Sequence, residues 1–332
     1  MDLSLELLKG VLDQADYRVR AGAHPTSRLW PTGFEVLDRA LSGGFRSGEL
    51  ILLAGPHGLG KTTWVLQVAR NVARSGRSVV VFSFEHDLPS LLIRLVALEA
   101  GTLVGAEAPS LNRIRQSFEA LDGLSGSLQD RLAETSGGAK ALDVVREYAD
   151  RVVLHRSLGS STTIESIQQA INDVREETGQ LPMVIVDYLQ KVHAPGDVSE
   201  QDRITGVVEG LKDLSIESDV PVLAVVAYDK EGLEVGKRMR VQNMRGSSAL
   251  AYEADTVLLL NNKYDIVARH HLVYDIGNAE RFRNWVVLTI EKNRNGQAGI
   301  DLEFRKRFDQ ARFESEGQQV VEKLVDERVF LE

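Results

Sequence analysis

The sequence predicts an α/β fold: a twisted, mainly parallel sheet flanked by helices, with one helical insertion. Three observations carry that prediction. From about Leu50 onward, short β-branched runs alternate with helical segments, the pattern left by parallel strands joined through crossover helices. The first run leads into a glycine-rich turn, Gly55-Pro-His-Gly-Leu-Gly-Lys61-Thr62, and a helical segment leaves it. A later run, Met183-Val-Ile-Val-Asp187, is four apolar residues closed by a carboxylate. Such a buried strand delivers its acid to the carboxyl edge of an open sheet, where ligands bind.

Taken in order, the first 24 residues stand apart. Leu3, Leu7, Leu8, Val11 and Leu12 recur at helical spacing, and Ala21-Gly22-Ala23-His24-Pro25 breaks the pattern. The stripe docks either on the chain's own core or on a neighbouring subunit. Strands are predicted over 50–54, 79–84, 152–155, 183–186, 222–226, 256–260 and 285–291, and helices over 62–75, 88–99, 163–178 and 199–219. The 79–84 strand is expected beside the 50–54 strand. Residues 106–148 are polar and helical, broken at 123–127 and 137–138, and read as an inserted subregion rather than a second domain. Residues 232–248 are long, polar and basic, as functional loops are. The division is therefore a docking helix (1–24), one α/β unit (25–313) and a tail (314–332).

Composition narrows the class. Apolar residues make up 43% and charged residues 26%, ordinary for a globular protein. No uninterrupted apolar stretch of about 18 residues is present, so no membrane span is expected. The absence of cysteine excludes disulfides, cysteine-ligated zinc and thiol catalysis. The acidic, helical start differs from a secretion signal, and a cytoplasmic protein of bacterial type is expected. A net charge of −9 leaves room for nucleic-acid binding only where basic residues gather on one loop.

The turn from Gly55 to Thr62 satisfies G-x-x-x-x-G-K-[ST] in the right strand-to-helix context. Gly55, Pro56, His57, Gly58, Leu59, Gly60, Lys61, Thr62 and Thr63 form a candidate nucleotide site. Glycines let successive backbone N–H groups curl around a phosphate, and the helix start favours its charge. Lys61 reaches the β- and γ-phosphates, Thr62 offers a hydroxyl to Mg²⁺, and Asp187 holds that ion from the later strand. His57 occupies a variable position of the motif. Glu85, at the end of the 79–84 strand, either polarises the attacking water or is an ordinary surface or capping residue. Asp87 is expected to cap the helix beginning at Leu88.

Together these segments resemble the DnaB-type replicative helicase family of RecA-like P-loop ATPases. Thr32-Gly-Phe-Glu-Val-Leu-Asp38 is similar to the family's entry segment, Phe82-Ser-Phe-Glu85 to the segment of its catalytic glutamate, and Asp187-Tyr-Leu-Gln190 to its magnesium strand. The run from Asn243 to Asp255 resembles the loop and helix that contact DNA phosphates, and Lys292-Asn-Arg294-Asn-Gly296 the element that enters a neighbouring subunit's site as an arginine finger. The resemblance covers Pro31 to Phe313 and implies ATP with Mg²⁺, a homo-oligomeric ring or filament, and single-stranded DNA. It makes Glu85, Lys61, Arg294 and Lys292 catalytic candidates. For DNA it points to Lys237, Arg238, Arg240, Arg245, Gly246 and Ser248.

Two departures are visible. The family carries an N-terminal helical domain, whereas residues 1–24 look like the linker helix laid on an adjacent subunit. The family's Ser-Gln after the fifth strand, whose Gln senses the γ-phosphate, is here Val226-Ala227, and neither side chain forms hydrogen bonds. The alternative for Arg294 is a solvated hairpin residue, and for the basic loop a solvated loop. The reading is a helicase or single-strand translocase motor. The alternative is an assembly or regulatory ATPase of RadA or circadian-clock type that does not unwind DNA.

Overall fold

The computed structural model describes residues 6–21, 28–119, 126–194, 196, 199–228, 237–244, 248–273 and 276–326. Leu3, the 22–25 break, Lys230, Arg245 and Gly246 lie outside them. Two short strands, β1 (Leu29–Trp30) and β2 (Phe45–Arg46), form an antiparallel pair at the entrance. The main strands are β3 (Leu50–Ala54), β4 (Val79–Ser83), β5 (Val152–Arg156), β6 (Met183–Asp187), β7 (Val222–Val226), β8 (Thr256–Asn262), β9 (Trp285–Asn293) and β10 (Ile300–Arg307). Short strands β11 (Arg312–Phe313) and β12 (Gln318–Gln319) complete the set. All seven strands expected from the sequence form, within a few residues at their ends.

The sheet order is β11-β10-β9-β8-β3-β7-β6-β4-β5, with β12 also on β10. The six strands from β8 to β5 are parallel, and β9 and β10 add antiparallel. One expectation is corrected: β4 does not lie beside β3. After β3 the chain skips two places in the sheet, and β6 and β7 later fill them. The carboxyl ends still share one edge, so Glu85 stays near the phosphate turn.

Strand residues alternate between two cores, as period-two geometry requires. Ile51, Leu53, Val79, Val81, Ile185 and Val225 face one cluster, completed by the helices Lys61–Arg74 and Leu88–Val104. Leu50, Leu52, Val80, Phe82, Val184 and Val186 face the other, under Ile164–Thr178 and Glu200–Glu217. The insertion supplies Ile114, Leu132, Leu142, Val145 and Tyr148 to the first cluster, so it extends this core and builds none of its own.

Residues Leu88–Glu107 have the length and mean hydropathy of a membrane span, although charged residues interrupt them. The helix instead buries Leu91, Ile93, Leu95 and Leu98 in the core, and its Glu99 takes a two-pronged bond from Arg70, both contacts at 2.6 Å. It is a core helix.

The N-terminal helix Leu8–Arg20 behaves differently. Leu8, Leu12 and Val19 on it are 74%, 62% and 79% exposed, so its stripe is not buried on this chain's own core. Residues 314–326 fold back on the sheet, through β12 and through Val267 pairing with Leu324. Lys263 anchors it, bonding the buried Glu303 and, at 2.7 Å, Glu322.

Removing one member of that buried set strands the other charge. Lys263→Met is expected to lower stability by about 3–5 kcal/mol, while Lys263→Met with Glu303→Met recovers most of the loss. Urea midpoints of the two variants check this, and equal midpoints would refute it.

Candidate nucleotide site

The phosphate turn is shaped by its glycines at two places. Gly60 has φ +79° and opens the helix Lys61–Arg74, where a Cβ would fall 2.6 Å from the Phe308 ring. Gly55 approaches Leu260 so closely that a Cβ would sit 2.9 Å from its backbone oxygen. No residue with a side chain fits either place without displacing a neighbour. The helix start then points its unpaired N–H groups into the cleft, an anion-binding arrangement.

Lys61 Nζ donates to Gly55 O at 2.6 Å and Pro56 O at 3.2 Å, both within the turn. Burial lowers its pKa, while Asp187 and Glu85 pull it back up. Thr62 Oγ1 donates to Asp187 Oδ2 at 2.7 Å, joining the helix start to the end of β6. Asp187 is 3% exposed. Burial pushes its pKa up to about 6, against the Thr62 bond and with Glu85 adding to the rise. Hydroxyl and carboxylate oxygens at one point suit Mg²⁺, which takes one or two protein oxygens and completes its shell with phosphates and water. Among the described residues no cluster of three or more His, Asp or Glu could hold a metal unaided.

These groups line one cleft of 1470 Å³, with His57, Gly58, Gly60, Thr63, Glu85 and Arg94. Glu85 lies just past β4, and Asp87 caps the next helix as anticipated, accepting from Ser90 N at 2.9 Å. Arg94 was not anticipated. It lies two turns into that helix, half-buried, with its pKa lowered by burial and by Arg115 and raised by Asp187. A cation seven residues past a cap at the carboxyl edge of the sheet was the signal available for it.

Gln190 is the second residue whose role the sequence concealed. Its side chain accepts from Ala227 N at 3.0 Å and donates to Ala227 O at 3.4 Å, tying the exit of β6 to the end of β7. Ala227 lines the cleft, where it contributes no side-chain hydrogen bond.

Arg294 and Lys292 stand elsewhere. Asn293 pairs with Thr256, the first residue of β8, so Arg294 lies at the amino edge of the parallel strands. The phosphate turn leaves the carboxyl edge, the length of β3 away, or about 16 Å. Arg294 bonds Asp255 Oδ1 at 3.1 Å and Tyr252 O at 2.7 Å, and Lys292 bonds Ala251 O at 2.8 Å. Arg294 is 43% exposed. Neither side chain lines its own chain's cleft.

The nucleic-acid candidates divide. Arg238 is buried against Asp301 and donates to Thr289 Oγ1 at 2.8 Å; Arg240 pairs with Glu291 at 3.1 Å and with Asp326. Both charges are paired internally here, because acidic residues on β9, β10 and the returning tail lie beside them. Lys237 is half-buried, and Ser248 is exposed at the start of Ala249–Glu253.

Residues 30–315 match the family model described as DnaB-like helicase C terminal domain. The replicative DNA helicase DnaB of Pasteurella multocida is 27% identical over 319 residues, covering 94% of this chain and 61% of that protein. The replicative DNA helicase DnaC of Bacillus subtilis is 27% identical over 286 residues, 84% of this chain and 55% of its own length. The chain thus spans little more than half the length of these relatives. Among solved structures, one ATPase domain superposes with a TM-score of 0.73 at 21% identity, covering 93% of this chain and 99% of that one. A DnaB-like replicative helicase solved for its interactions with primase gives 0.70, also at 21% identity, over 90% of this chain and 66% of that one. The fold is RecA-like.

The buried charge at Asp187 has a consequence for stability. Its folded pKa of about 6 exceeds the ordinary 3.8, so ionisation costs the folded state. The cost is absent below the unfolded value, grows as the pH rises from 3.8 toward 6, and is complete above 6. In chelator, Asp187→Asn is therefore expected to stabilise the protein by about 3 kcal/mol at pH 8, and by less as the pH falls below 6. Thermal melts at pH 8 and pH 5 decide this: a pH-independent difference would refute it.

Proposed function

The chain belongs to the DnaB-like helicase C-terminal domain family, and from that premise we propose that it is an oligomeric, ATP-hydrolysing motor acting on single-stranded DNA, as a helicase or translocase. The carrying observation is the split between the two edges of its sheet. Lys61, Thr62, Glu85 and Asp187 converge at the carboxyl edge, while Arg294 is exposed at the amino edge, beyond reach of its own cleft.

In this reading Lys61 and the turn's N–H groups hold the β- and γ-phosphates, and Thr62 and Asp187 hold Mg²⁺. The ion, when bound, neutralises charge building on the transferring phosphoryl group. Glu85, exposed to the cleft, orients the attacking water and takes its proton. Arg294 enters the cleft of a neighbouring copy, where a guanidinium stabilises the charge of the transition state. Lys292 assists from the same strand. The exposed stripe of the N-terminal helix docks on that neighbour, because apolar residues so exposed here gain most from burial against a second copy. DNA phosphates are met by backbone N–H groups and side chains around Ser248, with Lys237, Arg245 and Gly246 contributing.

The second reading, an assembly or regulatory ATPase without strand separation, is favoured by Ala227 and by the internal pairing of Arg238 and Arg240. ATPase rates with and without single-stranded DNA, oligomer size in the same buffer, and strand displacement from a forked duplex separate the two. DNA-stimulated hydrolysis without displacement supports the translocase form. Hydrolysis indifferent to DNA supports the regulatory one.

The shared site is tested by complementation. Lys61→Ala and Arg294→Ala are each expected to be nearly inactive, since losing such a finger costs about 10³–10⁵ in rate. Co-assembled, they are expected to regain activity, because a subunit keeping Lys61 borrows Arg294 from its neighbour. The rescue is expected to vanish on dilution. Mixtures that native mass measurement proves to be mixed, yet that stay inactive, would exclude an active site shared between subunits.

A further inference from the structure

The cleft has an aromatic contact that hydrolysis does not use. The rings of His57 and Tyr228 lie 5.4 Å apart, tilted by 57°, within the range of favourable aromatic pairs. His57 belongs to the phosphate turn, and both residues line the cleft. Tyr228 lies two residues past β7, and its backbone pairs antiparallel with Met244. The motif alone leaves the His57 position open to any residue, so its contact with a ring 171 positions away is visible only in the fold.

We propose that Tyr228 is a positioning residue that transmits the state of the phosphate turn, through His57, to residues 238–244. The proposal rests on the reading above only for its use of the nucleotide and for the role that the 238–244 stretch serves.

Three features give the contact a direction. First, the turn has a reason to move. Lys61 Nζ bonds the carbonyls of Gly55 and Pro56, immediately before His57. Phosphate oxygens compete for the same ammonium, so nucleotide binding changes the load on the peptide units that orient the His57 ring. Second, Tyr228 is held from behind. Both backbone groups of Ala227 are bonded by Gln190, whose own carbonyl accepts from Arg203 at 2.7 Å. Tyr228 therefore begins from a fixed backbone, and displacement of His57 acts on its ring and on the chain beyond it. Third, the receiving stretch is a defined unit. Met239 N donates to Asn261 Oδ1 at 2.7 Å, Arg240 N to Asn243 Oδ1 at 2.8 Å, and Arg238 N to Asp326 O at 2.8 Å. Met239 and Met244 are buried in the second core with Leu250 of the following helix. A shift at Tyr228 thus reaches Met244 and the start of Ala249–Glu253 through packed and hydrogen-bonded groups.

A residue that merely fills space would alter stability or nucleotide affinity, and leave the response of a distant stretch intact. The test follows amide hydrogen exchange over 238–244 in the full chain, with Mg²⁺ and with or without a non-hydrolysable ATP analogue. In the wild type, saturating analogue is expected to change exchange there. In Tyr228→Ala that change is expected to be lost while analogue affinity stays comparable. Tyr228→Phe, which keeps the ring contact, is expected to retain it, and His57→Ala at saturating analogue to lose it. Three results would overturn the proposal: no change in the wild type with analogue bound, a change persisting in Tyr228→Ala, or loss of analogue binding in that variant, which would make Tyr228 part of the binding site. ATPase stimulation by single-stranded DNA, measured on the same proteins, is read separately. If the exchange change passes through Tyr228 but DNA stimulates no variant, the DNA reading falls and the role of Tyr228 stands.

Discussion

A carboxylate in the floor of the sheet sets the terms for the rest of the structure. Asp187 ends a strand whose other four residues are buried, and the packing that holds the strand in register removes the acid from water. A buried carboxylate is tolerated when it is hydrogen-bonded and faces a cation. Here the bond comes from Thr62, and the protein cation facing it, Lys61, is engaged with the turn's own carbonyls. That relation fixes where the helix Lys61–Arg74 must begin, and hence why Gly60 must take a left-handed conformation against Phe308. The glycine-rich turn, the helix start and β6 are therefore one object. Lys61 and Arg94 both act on the acid from the same cleft, and its pKa is still raised by burial.

The opposite edge has its own organising acid. Asp255 precedes β8, accepts from Leu50 N and Lys212 Nζ, and takes Arg294 Nη1 at 3.1 Å. The arginine's base is fixed by its own N–H, which donates to Asp255 O at 2.9 Å, while the guanidinium, bonded to Asp255 and to Tyr252 O, stays 43% exposed. A parallel sheet places its carboxyl and amino edges on opposite sides of a domain, so a group at one edge cannot serve the other within a chain. The same parallel topology that gathers Lys61, Thr62, Glu85 and Asp187 excludes Arg294 from them.

Much of this was legible because it depends on local pattern. The five central strands are continuous apolar runs, and Gly55 to Thr62 permits few other conformations. Asp87 announces its cap by position. The misses share one cause, which is partnership across long sequence distance. The strand β10, Ile300–Arg307, alternates charged residues that hide its pairing, since Glu303 is buried only because Lys263, 40 residues earlier, neutralises it. The order of β4, β6 and β7 is set by crossovers that no window of residues reports. Arg94 and Gln190 acquire their positions from neighbours that the chain supplies far away. The N-terminal stripe was legible as a helix, yet its exposure was not, because periodicity specifies a buried face without naming what buries it.

The basic loop shows how charge counting fails for the same reason. Arg238 and Arg240 look available beside a chain of net charge −9, but Asp301, Glu291 and Asp326 surround them once β9, β10 and the tail close. A guanidinium already paired in a half-buried setting gives up much of what a phosphate would return, so such residues add little to affinity and instead hold the stretch that carries them. Internal pairing thus converts would-be ligands into a frame. The frame keeps Met239 and Met244 buried and leaves Ser248 exposed at the head of Ala249–Glu253. Tyr228 and Leu250, on either side of this frame, pack into the same core, so the frame is tied to the sheet from both directions.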